Sequence, residues 1–194
     1  DHRDLHLSLR RQRQMCIRDR KITSATKSNG IVHTMPFWDQ RFQEIGKAYP
    51  RIEMNQFHID ILTAHFVQHP DWFDVVVASN LFGDILSDLG PAVIGGMGIA
   101  AGANINPECD YPSMFEPVHG SAPDIAGLNI VNPIACFWTA KMMLDHLGLH
   151  EGANLLMEAI ENNIKEGNVL TRDLGGTAST QEVTIAIIDK ILKK

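Results

Sequence analysis

The segment FDVVVASN, residues 73–80, constrains the fold more than any other part of the chain. Val75, Val76, Val77 and Ala78 follow one another with no polar alternation. A strand with that pattern is covered on both faces, which is the condition of a strand inside a parallel sheet. Parallel strands need crossover connections, usually helical, so the flanking sequence should alternate between the two periods.

It does. KITSAT, from Lys21, reads as a strand running into a turn marked by Gly30, and MPFWDQRFQEIGKAYP reads as a helix closed by Pro50. QFHIDILTAHFVQHP carries Phe57, Ile59, Ile61, Leu62, Phe66 and Val67 at helical spacing and stops at Pro70. NLFGDILSDLGPAVIGG is a further helix, with Asn80 as its expected cap. A small-residue strand, GIAAGANI, precedes a long polar loop, FEPVHGSAPDIAGLNIVNP. Three helices follow, in NPIACFWTAKMMLDHLG, EGANLLMEAIENNIKEG and STQEVTIAIIDKILKK, the last capped by Ser179 or Thr180 with Glu182 nearby. Alternation of this kind predicts an α/β fold. With 194 residues, 44% of them hydrophobic, the chain can fill one large core or two small ones.

Composition removes several classes of function. Cys16, Cys109 and Cys136 form an odd set without zinc-ligand spacing, which points to a reduced, cytoplasmic compartment. The longest apolar run is glycine-rich and too short for a bilayer, and no secretory core lies near the start, so no membrane association is expected. Residues 1–20 hold six Arg against three Asp, while the whole chain has a net charge of −6. That basic stretch lacks aromatics, glycines and apolar periodicity, so it is expected not to fold or to bind nucleic acid, and is read as non-native sequence.

Asp84 and Asp88 lie on one face of their helix, about 40° apart. Their neighbours Ile85, Leu86 and Leu89 predict a helix at least half buried. An unpaired buried carboxylate needs a cation or a proton. All-carboxylate donors suit hard Mg2+ or Mn2+, and Asp60, an acid in an apolar helix, is a third donor. A solvated acidic face is the alternative for any such pair. His58 and His65 are read as surface or packing residues.

GMGIAA, residues 96–101, matches the dinucleotide pattern G-x-G-x-x-A. That pattern requires a strand before it and a helix opening within it. Here a helix precedes and a strand follows, so close packing at a helix-to-strand turn is the better explanation. EPVHGSAPDIAG, residues 116–127, is a stronger candidate, offering backbone N–H groups, His119, Ser121 and Asp124 in a loop too long to be a simple connection.

Together TSATKSNGI, HIDIL, FDVVVASNLFGDILSDLGPA, MFEPVHGSAPDIAG and VNPIACFW resemble the isocitrate/isopropylmalate dehydrogenase family, nearest its tartrate and D-malate branch. The likeness covers about Lys21 to Lys194, the C-terminal half of a member. It implies the C-terminal portion of an isopropylmalate-dehydrogenase-like two-domain fold with non-Rossmann dinucleotide binding. Residues 21–94 would belong to the small, dimer-forming domain that carries metal and substrate, and 95–194 to the large cofactor domain.

The resemblance also implies roles. Lys27 matches the family's catalytic lysine, and Asp60, Asp84 and Asp88 match its metal aspartates, Asp60 being catalytic as well. His119, Gly120, Ser121, Ala122, Asp124 and Asn132 match positions that hold the adenosine half of the dinucleotide, and Glu116 an acid near the nicotinamide. The implied reaction is NAD-dependent oxidation, with β-decarboxylation, of a small 2-hydroxy diacid such as D-malate or tartrate. It would use Mg2+ or Mn2+ and, as an option, a monovalent cation. Ser28 stands where isopropylmalate dehydrogenases usually have alanine after the lysine, which favours the smaller diacids. The implied assembly is a homodimer with shared active sites, Lys27 and Asp60 serving the partner's site. Isopropylmalate dehydrogenase and a non-catalytic regulatory subunit of the same fold are the alternatives. The absent N-terminal half includes the arginines that grip substrate and a catalytic tyrosine, so this chain alone is expected to be inactive.

Overall fold

The computed structural model describes residues 21–193. The expectations for residues 1–20 therefore lie outside the described residues. The described chain forms two compact units, one ending at Gly90 and the other beginning at Pro91.

The first unit is built on a three-stranded parallel sheet in the order β2-β1-β3, with β1 Lys21–Thr26, β2 Glu53–His58 and β3 Val75–Val77. Ser24 of β1 stands opposite Gln56 on one side and Val77 on the other. Both faces of β1 are covered, so Ile22 through Thr26 are all buried even though Thr23, Ser24 and Thr26 are polar. Helix α1, Met35–Gly46, brings Met35, Trp38, Phe42 and Ile45 to the sheet at helical spacing. The Trp38 indole N–H donates to Ser24 Oγ at 2.9 Å, giving that buried hydroxyl its partner. On the other face, Leu62 of α2 (Ile59–Gln68) and Phe82 and Leu86 of α3 (Asn80–Ile94) pack with Ala25.

Two expectations in this unit need correction. The helix read from Phe57 onward begins at Ile59, because Phe57 and His58 belong to β2 and pair with Ala25 and Thr26. Apolar residues at 57, 59 and 61 satisfy a strand's period as well as a helix's, and sheet pairing decides between them. The start of α3 also differs by one residue: Gly83 N–H bonds the Ser79 carbonyl, which puts Ser79, not Asn80, at the cap position.

In the second unit, α4 (Ile134–His146), α5 (His150–Glu166) and α6 (Thr180–Leu192) enclose a core of Ile134, Leu156, Ala159, Ile160, Val183 and Ile187. Ser179 caps α6 in a reciprocal box with Glu182, as the sequence predicts. An antiparallel pair, β4 Ala101–Asn104 and β5 Met114–Pro117, completes the unit. β5 is a correction: Phe115, Glu116 and Pro117 were expected in the loop, but they pair with β4. Four residues ending in proline give too short a run for sequence periodicity to register. Among the described residues no helix is long and apolar enough to cross a membrane.

Candidate functional site

In the first unit, candidate residues collect beyond the C-terminal ends of the parallel strands, where open α/β sheets place their ligands. Lys27 directly follows β1, and Asp60 lies in the first turn of α2, just past β2. Because β1 and β2 pair in register up to Thr26 and His58, the two side chains meet: Lys27 Nζ is 3.0 Å from Asp60 Oδ1. The Lys27 carbonyl accepts the N–H groups of Gly30 and Ile31, which fixes the turn that carries the lysine.

Asp60 is not buried in an apolar helix, as its sequence neighbours suggested. Its side chain is 63% exposed against 28% for Lys27. The hydrogen bond from Lys27 is the main cause holding its carboxyl below the ordinary value of 3.8. Backbone N–H groups and the lysine's charge act in the same direction, while desolvation opposes them.

Asp84 and Asp88 also differ from the expectation of burial. Both are exposed, on the face of α3 opposite the buried Phe82 and Leu86. Each stands about 200° around the helix from Leu86, so burial of that leucine turns both acids outward. Neither has an ion-pair partner among the described residues. Leu81 and Ile85 are also exposed on α3, three residues before and one after Asp84, so the acids sit beside uncovered apolar side chains. No three His, Cys, Asp or Glu side chains come together to hold an ion among the described residues. The chain thus offers two exposed carboxylates one helical turn apart, and a third that is bonded to Lys27.

In the second unit, the loop after β5 is a succession of tight turns. Ile125 N–H bonds the Ala122 carbonyl and Leu128 N–H bonds that of Ile125. Ala122 holds φ +42° and Asn129 φ +57°, left-handed values that are strained for an alanine. Glu116, Gly120, Ser121 and Asp124 are exposed. His119 sits deeper, with Nδ1 3.0 Å from the Gly120 carbonyl and Nε2 buried without a hydrogen-bond partner. Asn132 is 4% exposed and its side chain is already engaged. Its Nδ2 donates to Asp173 Oδ2 at 2.8 Å and its Oδ1 accepts the Ile134 N–H at 3.0 Å.

The pattern of the isocitrate/isopropylmalate dehydrogenase family matches residues 7–189, nearly the whole chain. The chain belongs to the isocitrate/isopropylmalate dehydrogenase family. It is 55% identical over 177 residues to the D-malate dehydrogenase [decarboxylating] of Escherichia coli (strain K12), matching 89% of this chain and 49% of that protein. It is 54% identical over 183 residues to the tartrate dehydrogenase/decarboxylase of Pseudomonas putida, matching 91% of this chain and 50% of that protein. The crystal structure of isocitrate dehydrogenase from Methylococcus capsulatus superposes with a TM-score of 0.89 at 37% identity, over 98% of this chain and 55% of that one. The chain thus spans about half the length of the relatives it matches.

The elements around GMGIAA follow the order read from the sequence, helix first and strand after. The segment leads from α3 through a single 3-10 turn, Met97–Ile99, into β4. Sequence reasoning missed the residues that hold the 116–132 loop from below, namely Asp173, Thr180 and Gln181. TRDLGG, residues 171–176, carries a readable turn signal in its Thr-x-Asp and paired glycines, but a turn signal does not say which loop it will grip.

Proposed function

We propose that this chain is the C-terminal part of an NAD- and divalent-metal-dependent decarboxylating dehydrogenase acting on a small 2-hydroxy diacid such as D-malate or tartrate. The observation that carries the reading is the Lys27–Asp60 pair, a lysine held by a carboxylate at the strand ends, in a chain more than half identical to tartrate and D-malate dehydrogenases.

The donor chemistry fits a hard cation. Asp84 and Asp88 present oxygen ligands one turn apart on an exposed face, the ligand type that Mg2+ and Mn2+ take. When bound, such an ion supplies Lewis-acid polarisation of the oxygen undergoing oxidation. Lys27 then exchanges a proton at the substrate hydroxyl, and Asp60 keeps its ammonium directed. Asp124 accepts hydrogen bonds from the hydroxyls of the adenosine ribose, His119 and the turns around Ala122 seat the adenosine, and Glu116 stands towards the nicotinamide. Asn132, with its side chain engaged, offers its main chain.

Residues 21–94 form part of the small domain in this reading, and 95–194 part of the large one. The uncovered apolar residues of α3 support a second copy of the protein as the partner at this face. The exposed free thiols of Cys109 and Cys136 suit the reducing cytoplasm. A panel of D-malate, tartrate, isocitrate and 3-isopropylmalate, offered to the whole protein with NAD and Mn2+, tests the assignment. D-malate or tartrate should give the highest kcat/KM, and a preference for 3-isopropylmalate would overturn it.

A further inference from the structure

We propose that Asp173 is a positioning residue for the 116–132 loop, orienting the Asn132 side chain and thereby fixing where the loop joins α4. The inference rests on reading that loop as the dinucleotide site. Asp173 is exposed, yet both oxygens of its carboxylate are engaged by buried partners. Thr171, 1% exposed, donates its hydroxyl to Oδ1 at 2.5 Å, and Asn132 donates Nδ2–H to Oδ2 at 2.8 Å.

A carboxylate only accepts, so it dictates which way the Asn132 amide faces. The NH2 group must turn to Asp173, which leaves the carbonyl to receive the Ile134 N–H at 3.0 Å. That N–H is among the first of α4 and has no partner within the helix. Three more bonds pin the loop's exit to the start of α6. Thr180 N–H bonds the Asn129 carbonyl at 3.0 Å, Thr180 Oγ1–H bonds the Val131 carbonyl at 2.5 Å, and Gln181 N–H bonds Asn129 Oδ1 at 3.2 Å.

Gly98, from the motif that failed as a nucleotide fingerprint, finds its reason here. A Cβ on it would lie 2.5 Å from Asp173 Oδ2 and 3.0 Å from Asn132 Cβ. The glycine leaves room for the latch.

The test compares Asp173→Ala, Asp173→Asn and Gly98→Ala in the full chain. It reads hydrogen exchange at the Ile134 amide and the dissociation constant of NAD. Asp173→Ala should speed exchange at Ile134 relative to other α4 amides and weaken NAD roughly tenfold, the effect of one charge-assisted hydrogen bond. Asp173→Asn should restore both, because its carbonyl accepts from Asn132 while its amide donates to the Thr171 hydroxyl oxygen. Gly98→Ala should resemble Asp173→Ala, and the double variant should fall short of the sum of the two. Unchanged exchange at Ile134 in Asp173→Ala would overturn the inference, as would failure of Asp173→Asn to restore it. A rise shared equally by all amides of α4 to α6 would mark general destabilisation and also overturn it. NAD binding is read in the whole protein; if the unaltered whole protein does not bind NAD, the cofactor reading fails, and Ile134 exchange alone decides the role of Asp173.

Discussion

Lys27 Nζ meets Asp60 Oδ1 at 3.0 Å because two parallel strands in register end side by side and each delivers its next side chains to the same edge. The lysine is the less exposed member, so the contact is directional: a half-buried cation reaching a solvated carboxylate.

This pair sets a pH dependence on the acid side. Asp60 titrates below its ordinary value of 3.8 chiefly through the hydrogen bond from Lys27. A carboxyl whose pKa is lower in the folded than in the unfolded state adds stability above its unfolded pKa, and that stability is lost as pH falls through the folded pKa. Lys27→Met should raise the Asp60 midpoint towards the ordinary value, as followed by carbon-13 NMR of the side-chain carboxyl. Added salt should reduce the difference, since Asp60 is mostly exposed. An Asp60 midpoint that does not move would mean the pair is not formed in solution.

Asp84 and Asp88, both exposed, repel each other across one turn of α3. Asp88→Asn should leave the metal-free protein as stable or slightly more so, by less than about 0.5 kcal/mol at low salt. Broadening of α3 amide signals by Mn2+ should weaken strongly at the same time. A large fall in the thermal midpoint of the metal-free variant would make Asp88 a structural residue instead.

How these acids are placed shows what the sequence can and cannot express. The i, i+4 spacing puts Asp84 and Asp88 on one face from sequence alone. Which face is buried depends on Phe82 and Leu86 finding Ala25 and Leu62, contacts set by sheet order rather than by neighbours in sequence. Apolar neighbours therefore suggested burial where the structure has exposure. The stop of α5 at the left-handed Gly167 and the Ser179–Glu182 start of α6 were legible because every signal for them is local. β5 and the Asp173–Asn132 bond were not, since each joins segments distant in sequence and neither has a periodic pattern.

Ser179 provides a second acid-side prediction. Glu182 is held below its ordinary 4.5 first by the Ser179 backbone N–H and then by the Ser179 hydroxyl. The share of this cap's stability that the carboxylate supplies is present above the unfolded pKa of Glu182 and is lost as pH falls through its folded pKa. Ser179→Ala should lower stability near neutral pH by about 1 kcal/mol. Denaturant titrations of the two forms should draw closer in acid without meeting, because the bond from Glu182 N–H to Ser179 Oγ does not titrate while that from the Ser179 hydroxyl to the carboxylate does. A gap that is independent of pH would disprove the hydroxyl-to-carboxylate bond.

The proposed sharing of active sites between protomers makes a prediction for the whole protein. If Lys27 and Asp60 act in the partner's site while Asp84 and Asp88 act in their own, a heterodimer of Lys27→Ala and Asp84→Asn protomers holds both lesions in one site. The other site is intact, so mixed dimers should recover up to about half the activity of the unaltered dimer, as two-fold symmetry requires. Absence of recovery after verified subunit exchange would place all four residues in one protomer's site.

On the proposed reading, Asp124 selects between the two nicotinamide dinucleotides. Its carboxylate is exposed in SAPDIAG, with no hydrogen-bond or ion-pair partner among the described residues, so both oxygens are open to the ribose hydroxyls. The same charge repels a 2′-phosphate, and residues 116–132 contain no lysine or arginine to offset it. NAD should therefore be strongly preferred over NADP. Asp124→Lys in the whole enzyme deletes an acceptor and supplies a cation, so kcat/KM for NAD should fall while that for NADP rises. A change in which both values fall together would mean only that the turns of the loop had been disturbed. A ratio that stays constant would mean Asp124 does not face the ribose, and the discriminating charge would have to be sought outside this loop.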